Sequence, residues 1–260
     1  MPRFSANLGF LWPDRPLLER IDAAAEAGFK AIELHWPYNV PAEVVREACS
    51  QHDLILLGLN TATGDTYKGE FGFAALEERR DDFEASLDQA IAYARLSGAS
   101  SIHVMAGVVA ADGKENARRI FAENLVLAGK KASDLTILLE PINQRDKPGY
   151  FYSTIEEAAS LIEEVDLPNI KIMFDVYHVG VSEGDILTRI RKYLPRIGHV
   201  QIAAVPSRAE PDEGEIAYPA IFEELDRLGY GGWVGCEYKP RAGTEEGLRW
   251  ISALGTSLQK

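Results

Sequence analysis

The stretch Thr136-Ile137-Leu138-Leu139-Glu140-Pro141-Ile142-Asn143 decides how the chain is read. Four apolar or β-branched residues run into a glutamate, and a proline follows at once. A continuous apolar run of this kind is the pattern of a strand buried on both faces of a parallel sheet. Proline lacks the N–H that a ladder needs, so the strand is expected to end there. Glu140 then stands at the carboxyl end of a buried strand, where α/β sheets gather their ligands. A carboxylate that merely caps the next element is the plainer alternative.

The pattern recurs three times further along. Ile170-Lys171-Ile172-Met173-Phe174-Asp175 ends in an aspartate. His199-Val200-Gln201-Ile202-Ala203 carries a glutamine late in an apolar run, and Trp233-Val234-Gly235-Cys236-Glu237 ends in a glutamate. Isolated buried carboxylates cost several kcal/mol each unless a positive partner accompanies them. A divalent cation is the simplest such partner.

Outward from these four runs, strands are expected at 3–8, 31–36, 55–60, 101–106, 136–142, 170–175, 199–203 and 233–237. Helical patterns lie between them at 17–27, 41–51, 77–96 and 114–131, then from Ser153 onward, and at 185–194, 219–228 and 244–254. Ser153-Thr154-Ile155-Glu156 reads as a helix cap with an acid behind it. Strict alternation implies an α/β fold with a parallel sheet. Eight units point to a single-domain (β/α)8 TIM barrel over 1–260, with its site at the carboxyl ends of the strands. An open doubly wound sheet usually carries a glycine-rich phosphate loop after its first strand. Here that turn reads Asn7-Leu8-Gly9-Phe10-Leu11-Trp12. The longest irregular stretch, 60–72, suits either a mobile lid or an ordinary surface loop. The charge run Glu77-Glu78-Arg79-Arg80-Asp81-Asp82 reads as a solvated helix face.

Forty acids against 27 lysines and arginines leave a formal charge of −13, the reverse of a nucleic-acid footprint. An anionic substrate stays open, because a metal and one arginine can invert the local field. No apolar run reaches transmembrane length, and Met1-Pro2-Arg3-Phe4-Ser5-Ala6 enters a strand-like stretch with no signal-peptide pattern. Cys49 and Cys236 offer neither a disulfide framework nor zinc spacing. These features point to a soluble cytoplasmic protein that binds no nucleic acid or membrane. They leave room for self-association into a homo-oligomer.

In a barrel, Glu140, Asp175, Gln201 and Glu237 come from the fifth to eighth strands and can meet around one point. Three carboxylates and an amide are hard oxygen ligands that suit Mg2+ or Mn2+ better than Zn2+. Only five histidines exist, and they are scattered, which weakens a multi-zinc hydrolase reading. His178, Arg208 and Asp146 follow the sixth, seventh and fifth strands, within reach of a site. Asn7 and His103 could line it or satisfy core hydrogen bonds. His199 reads as structural, and Lys239 as a rim or solvated lysine.

These residues fall in longer motifs: Arg3-Phe4-Ser5-Ala6-Asn7-Leu8, Leu139-Glu140-Pro141-Ile142-Asn143, Asp175-Val176-Tyr177-His178, Gly198-His199-Val200-Gln201-Ile202-Ala203, Gly214-Glu215-Ile216 and Gly235-Cys236-Glu237-Tyr238-Lys239-Pro240. On them the chain resembles the hydroxypyruvate isomerases of the xylose isomerase-like barrel superfamily. The resemblance implies Glu140, Asp175, Gln201 and Glu237 as metal positions, Glu140 and Glu237 as an acid–base pair, and Asp146, His178 and Arg208 as substrate contacts. Related ketose epimerases carry a histidine where Gln201 stands, a departure that fits the hydroxypyruvate branch. The neighbouring 2-oxo-tetronate isomerases share the architecture, and Ile102-His103-Val104-Met105-Ala106-Gly107-Val108-Val109 is similar to theirs. The implied activity converts a small hydroxy- or oxo-acid, hydroxypyruvate first, by proton transfer through an enediolate. A nuclease and a non-catalytic carbohydrate-acid-binding barrel are the rivals from other classes, since fold alone does not fix function.

Overall fold

Each apolar run becomes a short parallel strand, and each amphipathic run a helix laid over the outside. The computed structural model describes residues 2–258. Its strands are β1 Arg3–Asn7, β2 Ala31–Glu33, β3 Ile55–Leu56, β4 Gly58–Asn60, β5 Ser101–His103, β6 Thr136–Leu139, β7 Ile170–Asp175, β8 Ile197–Ile202 and β9 Trp233–Cys236. Their order is β3-β2-β1-β9-β8-β7-β6-β5-β4, all parallel.

The eight expected strands become nine because one run changes partner halfway. β3 pairs with β2, and β4 pairs with β5. Between them the Leu57 N–H donates to the Ile32 carbonyl, while the Leu57 carbonyl accepts the Ser100 N–H on the other side. The run 55–60 is therefore the seam that closes the barrel. Gly58 permits the approach: a Cβ there would lie 2.3 Å from the Ser101 hydroxyl.

Strand alternation sorts the side chains. Ile102, Ile137, Val200, Ile202 and Val234 are fully buried on the face that meets the helices. The opposite, inward set is polar: Ser5, Asn7, Glu33, His103, Asp175, His199 and Gln201 are all buried. A barrel interior is normally filled by branched apolar residues. Here its upper half is given over to groups that need partners.

The helices are α1 Leu17–Glu26, α2 Ala42–Gln51, α3 Arg80–Ser97, α4 Lys114–Lys131, α5 Ile155–Val165, α6 Val176–Ser182, α7 Ile186–Tyr193, α8 Tyr218–Arg227, α9 Thr244–Gly247 and α10 Trp250–Ala253. Two expectations are corrected. Between β7 and the expected helix at 185–194 stands a helix that the alternation did not include: Asp175 accepts the Tyr177 N–H at 2.8 Å and starts α6 directly. The final helix is two short ones, α9 and α10. The cap before α5 is a full capping box, with Glu157 rather than Glu156 as its acid.

Removing that cap tests the local reading. Thr154→Ala is expected to cost about 1 kcal/mol and to lower Tm by roughly 2–4 °C. Thermal denaturation followed by circular dichroism measures it, and an unchanged Tm contradicts the cap.

Candidate active site

Four strand ends meet where the sequence places them. Glu140 directly follows β6, Asp175 ends β7, Gln201 lies in β8 and Glu237 directly follows β9. All four are buried. Glu140, Asp175 and His178 each bring one polar atom within 4.8 Å of the others. His178 Nε2 lies 3.5 Å from Glu140 Oε1 and 3.6 Å from Asp175 Oδ2. Glu237 Oε1 accepts from Asn7 at 3.1 Å and faces His35 Nε2 at 3.0 Å, while its Oε2 accepts from Arg208 at 2.9 Å.

Hydrogen bonding decides which of these side chains can offer a lone pair. The Asn143 backbone N–H donates to His178 Nδ1 at 3.2 Å. A backbone N–H can only donate, so Nδ1 is the acceptor, and in the neutral ring the proton sits on Nε2. His178 therefore faces Glu140 and Asp175 with an N–H and has no lone pair there for a metal. Gln201 is arranged the other way. Its Nε2 donates to Glu33 Oε2 at 2.8 Å. With the amide nitrogen on that carboxylate, Oε1 is the end left for the site. Glu33 is itself held by Ser5 at 3.0 Å and His199 at 3.1 Å.

Two buried oxygens of this set have no hydrogen-bond partner, Asp175 Oδ2 and Gln201 Oε1. Orphaned buried acceptors are rare and call for an explanation such as an ion. A void of about 20 Å³ beside Gln201 is lined by Glu140, Glu237 and His103 together with apolar residues such as Leu138 and Met173; Asp175 is not part of its wall. That volume admits about one water-sized particle. The residues thus fit a single hard cation.

The electrostatics have the same cause. Burial, then the Glu237 and Asp175 charges, push the Glu140 carboxyl well above the usual range. Burial and Glu237 push Asp175 up to about 8. Burial opposes ionisation of Glu237 as well, but His35 and Arg208 outweigh it and hold that carboxyl below the usual range. Burial lowers His103 to about 3; burial and Arg208 lower His178 to about 3, so both rings are neutral.

Above the oxygens lies a cavity of about 430 Å³ that both Glu140 and Glu237 line. Arg208, Asp146 and His178 line it too, so the expected substrate contacts are brought together. Arg208 has φ 57°, a strained value for a non-glycine residue. Its guanidinium lies between the Phe10 and Tyr177 rings, 4.9 Å from each. Asp146 accepts from Tyr177 at 2.8 Å and from Arg208 at 3.3 Å. Lys239 is exposed and is not part of this cavity wall. Asn7 and His103 belong to the site, and His199 supports it from beneath. The 60–72 loop contributes Phe71 to the wall. Glu33, His35 and Lys147 went unread in the sequence. The signal for the first two was their spacing in the expected strand 31–36, where residues two apart share a face; in the structure His35 lies just past the end of β2.

Residues 21–254 match the family model described as xylose isomerase-like TIM barrel. The chain belongs to that family. It is 44% identical over 254 residues to the 2-oxo-tetronate isomerase of Cupriavidus necator, covering 96% of this chain and 98% of that protein. It is 37% identical over 254 residues to the hydroxypyruvate isomerase of Escherichia coli, covering 96% and 98%. The crystal structure of AP endonuclease, family 2 from Brucella melitensis superposes with a TM-score of 0.94 at 41% identity, covering 97% of this chain and 99% of that one. The chain is an enzyme of the isomerase kind that this family contains.

Asp175 supplies a pH test. A carboxyl raised in the folded state contributes stability below its unfolded value and loses it as pH rises through the folded one. That window closes at about 8. Chelator-treated protein is expected to lose Tm progressively as pH rises from about 4, the unfolded aspartate value, to about 8, and to level off above it. Asp175→Asn should flatten the decline. Equal slopes in the two proteins would contradict the assignment.

Proposed function

We propose that this protein interconverts hydroxypyruvate and 2-hydroxy-3-oxopropanoate (tartronate semialdehyde). The observation that carries this reading is the pair Glu140 and Glu237. They line one cavity and flank a set of orphaned oxygens that a cation would satisfy. Glu140, Asp175, Gln201 and Glu237 would hold the cation, Mg2+ or Mn2+ by the hardness of the donors. Bound there, it supplies Lewis-acid stabilisation of negative charge developing on the substrate oxygens.

The chain's own residues account for the rest. One glutamate takes a proton from a substrate carbon, and the other manages protonation on the opposite side of the planar enediolate. Positioned general acids and bases contribute about 10²–10⁴-fold. The two exchange roles when the reaction reverses. His178 presents Nε2–H, fixed by Asn143, as a neutral donor to a substrate oxygen. Arg208 clamps Glu237, and its buried Nε–H has no partner in the protein. Asp146 fixes Arg208 and Tyr177 at the rim. The aromatic wall of Phe10, Trp36 and Phe71 keeps water from the reacting carbon. Two buried free thiols and the absence of disulfides fit a reducing, cytoplasmic setting.

The relative in Cupriavidus necator favours a second substrate, a 2-oxo-tetronate, for the same site and chemistry. A nuclease reading lacks a basic surface, with a formal charge of −13. The test is NMR of Mn2+- or Mg2+-loaded protein in D2O with each acid, magnesium being used for the spectra. Turnover of hydroxypyruvate with deuterium entering at carbon is expected. Turnover of neither acid overturns the proposal. Glu140→Gln and Glu237→Gln should each lose at least about 10²-fold in kcat/KM. Ordinary activity in either variant removes that residue from the pair.

A further inference from the structure

An enzyme for a small acid needs a charge to recognise the carboxylate, and the obvious candidate is already committed. Arg208 donates to Glu237 at 2.9 Å and to Asp146 at 3.3 Å, and its third acid, Asp175, lies at 3.9 Å. Arg145 is occupied as well, donating to the Tyr177 hydroxyl at 3.0 Å and to the Pro206 carbonyl at 3.1 Å. Lys239 is exposed and takes no part in the cavity wall. Four carboxylates, Glu140, Asp146, Asp175 and Glu237, surround one arginine. Even with a divalent cation the set stays anionic before a substrate carboxylate arrives.

Lys147 is the cation left over. It lines the 430 Å³ cavity together with Glu140, Glu237 and Arg208. Among the described residues, no acid forms an ion pair with it. Its Nζ rests 4.4 Å from the centre of the Phe71 ring, a neighbour that attracts a cation without neutralising it. The backbone beneath it is fixed. Lys147 N–H donates to the Asn143 carbonyl at 3.1 Å, and Asn143 Oδ1 accepts the Asp146 N–H at 2.8 Å. Asn143 is also the residue that sets the His178 tautomer. The lysine and the polar donor of the site therefore hang from one turn.

We propose that Lys147 is the specificity residue for the substrate carboxylate. It would select an anionic hydroxy- or oxo-acid over a neutral sugar of the same length. The proposal rests on the reading of the cavity as an acid isomerase site. Lys147 sits half-buried at the rim and contacts no reacting carbon; its work is recognition.

Binding tests this apart from turnover. Calorimetry with metal-loaded protein would use D-glycerate, a three-carbon hydroxy-acid that lacks the carbonyl. Lys147→Met is expected to weaken glycerate about tenfold to a hundredfold, the range of a charge-assisted contact. Lys147→Arg should recover most of that affinity. KM for hydroxypyruvate should rise by a similar factor in Lys147→Met, and the loss should shrink as salt is added to both proteins. Unchanged glycerate affinity in Lys147→Met, with the same Tm as the wild type, overturns the proposal. A wild type that binds glycerate through Lys147 but turns over neither acid would sink the catalytic reading alone.

Discussion

Burial of negative charge at one end of the barrel is the constraint on which the rest of the structure depends. Glu140, Asp175 and Glu237 are each at most 5% exposed, and Arg208 is the one cation in contact with this set among the described residues. Removing such groups from water costs several kcal/mol apiece unless a charge and hydrogen bonds repay it. The surrounding residues divide that task. His35, Asn7 and Arg208 satisfy Glu237, while Asp175 has one oxygen satisfied by the start of α6. What they leave without a partner is Asp175 Oδ2 and Gln201 Oε1, two buried acceptors.

The layer beneath explains how a glutamine can serve among carboxylates. An amide can turn either end toward a cation, and only its oxygen is useful. Glu33 removes the ambiguity by taking the nitrogen, and His199 and Ser5 fix Glu33 in turn. Gly235 belongs to the same device: a Cβ there would lie 2.0 Å from Glu33 Oε1 and 2.9 Å from His199 Nε2. The glycine in Val234-Gly235-Cys236 is thus a space left for a buried hydrogen-bonded pair. A parallel arrangement fixes His178, whose ring is oriented by Asn143 so that it donates rather than ligates. Supporting partners of this kind orient a site as much as the groups that touch the ligand.

Much of this was legible in the sequence, for a local reason. Glu140, Asp175, Gln201 and Glu237 each stand out because an apolar run precedes them, and strand ends converge in a barrel. The alternation of runs gave the fold in the same way. The ninth strand was hidden because the split at Leu57 depends on which neighbours it meets, and those come from residues 32 and 100. Helix α6 was hidden because Asp175 acts both as strand end and as helix cap. Glu33 was hidden because its partners, Ser5, His199 and Gln201, lie far away in the chain. Lys147 was passed over since a lone lysine after a strand looks solvated. Only the committed state of Arg208, visible in three dimensions, gives it meaning.

The central claim is that these strand ends form one binding centre for one hard cation. Titration of Mn2+ into chelator-treated protein, followed by electron paramagnetic resonance, tests it most directly. The account predicts saturable uptake of a single ion per chain, abolished in Asp175→Asn and displaced by Mg2+. No saturable uptake in folded wild type, or uptake that Asp175→Asn leaves untouched, would contradict it.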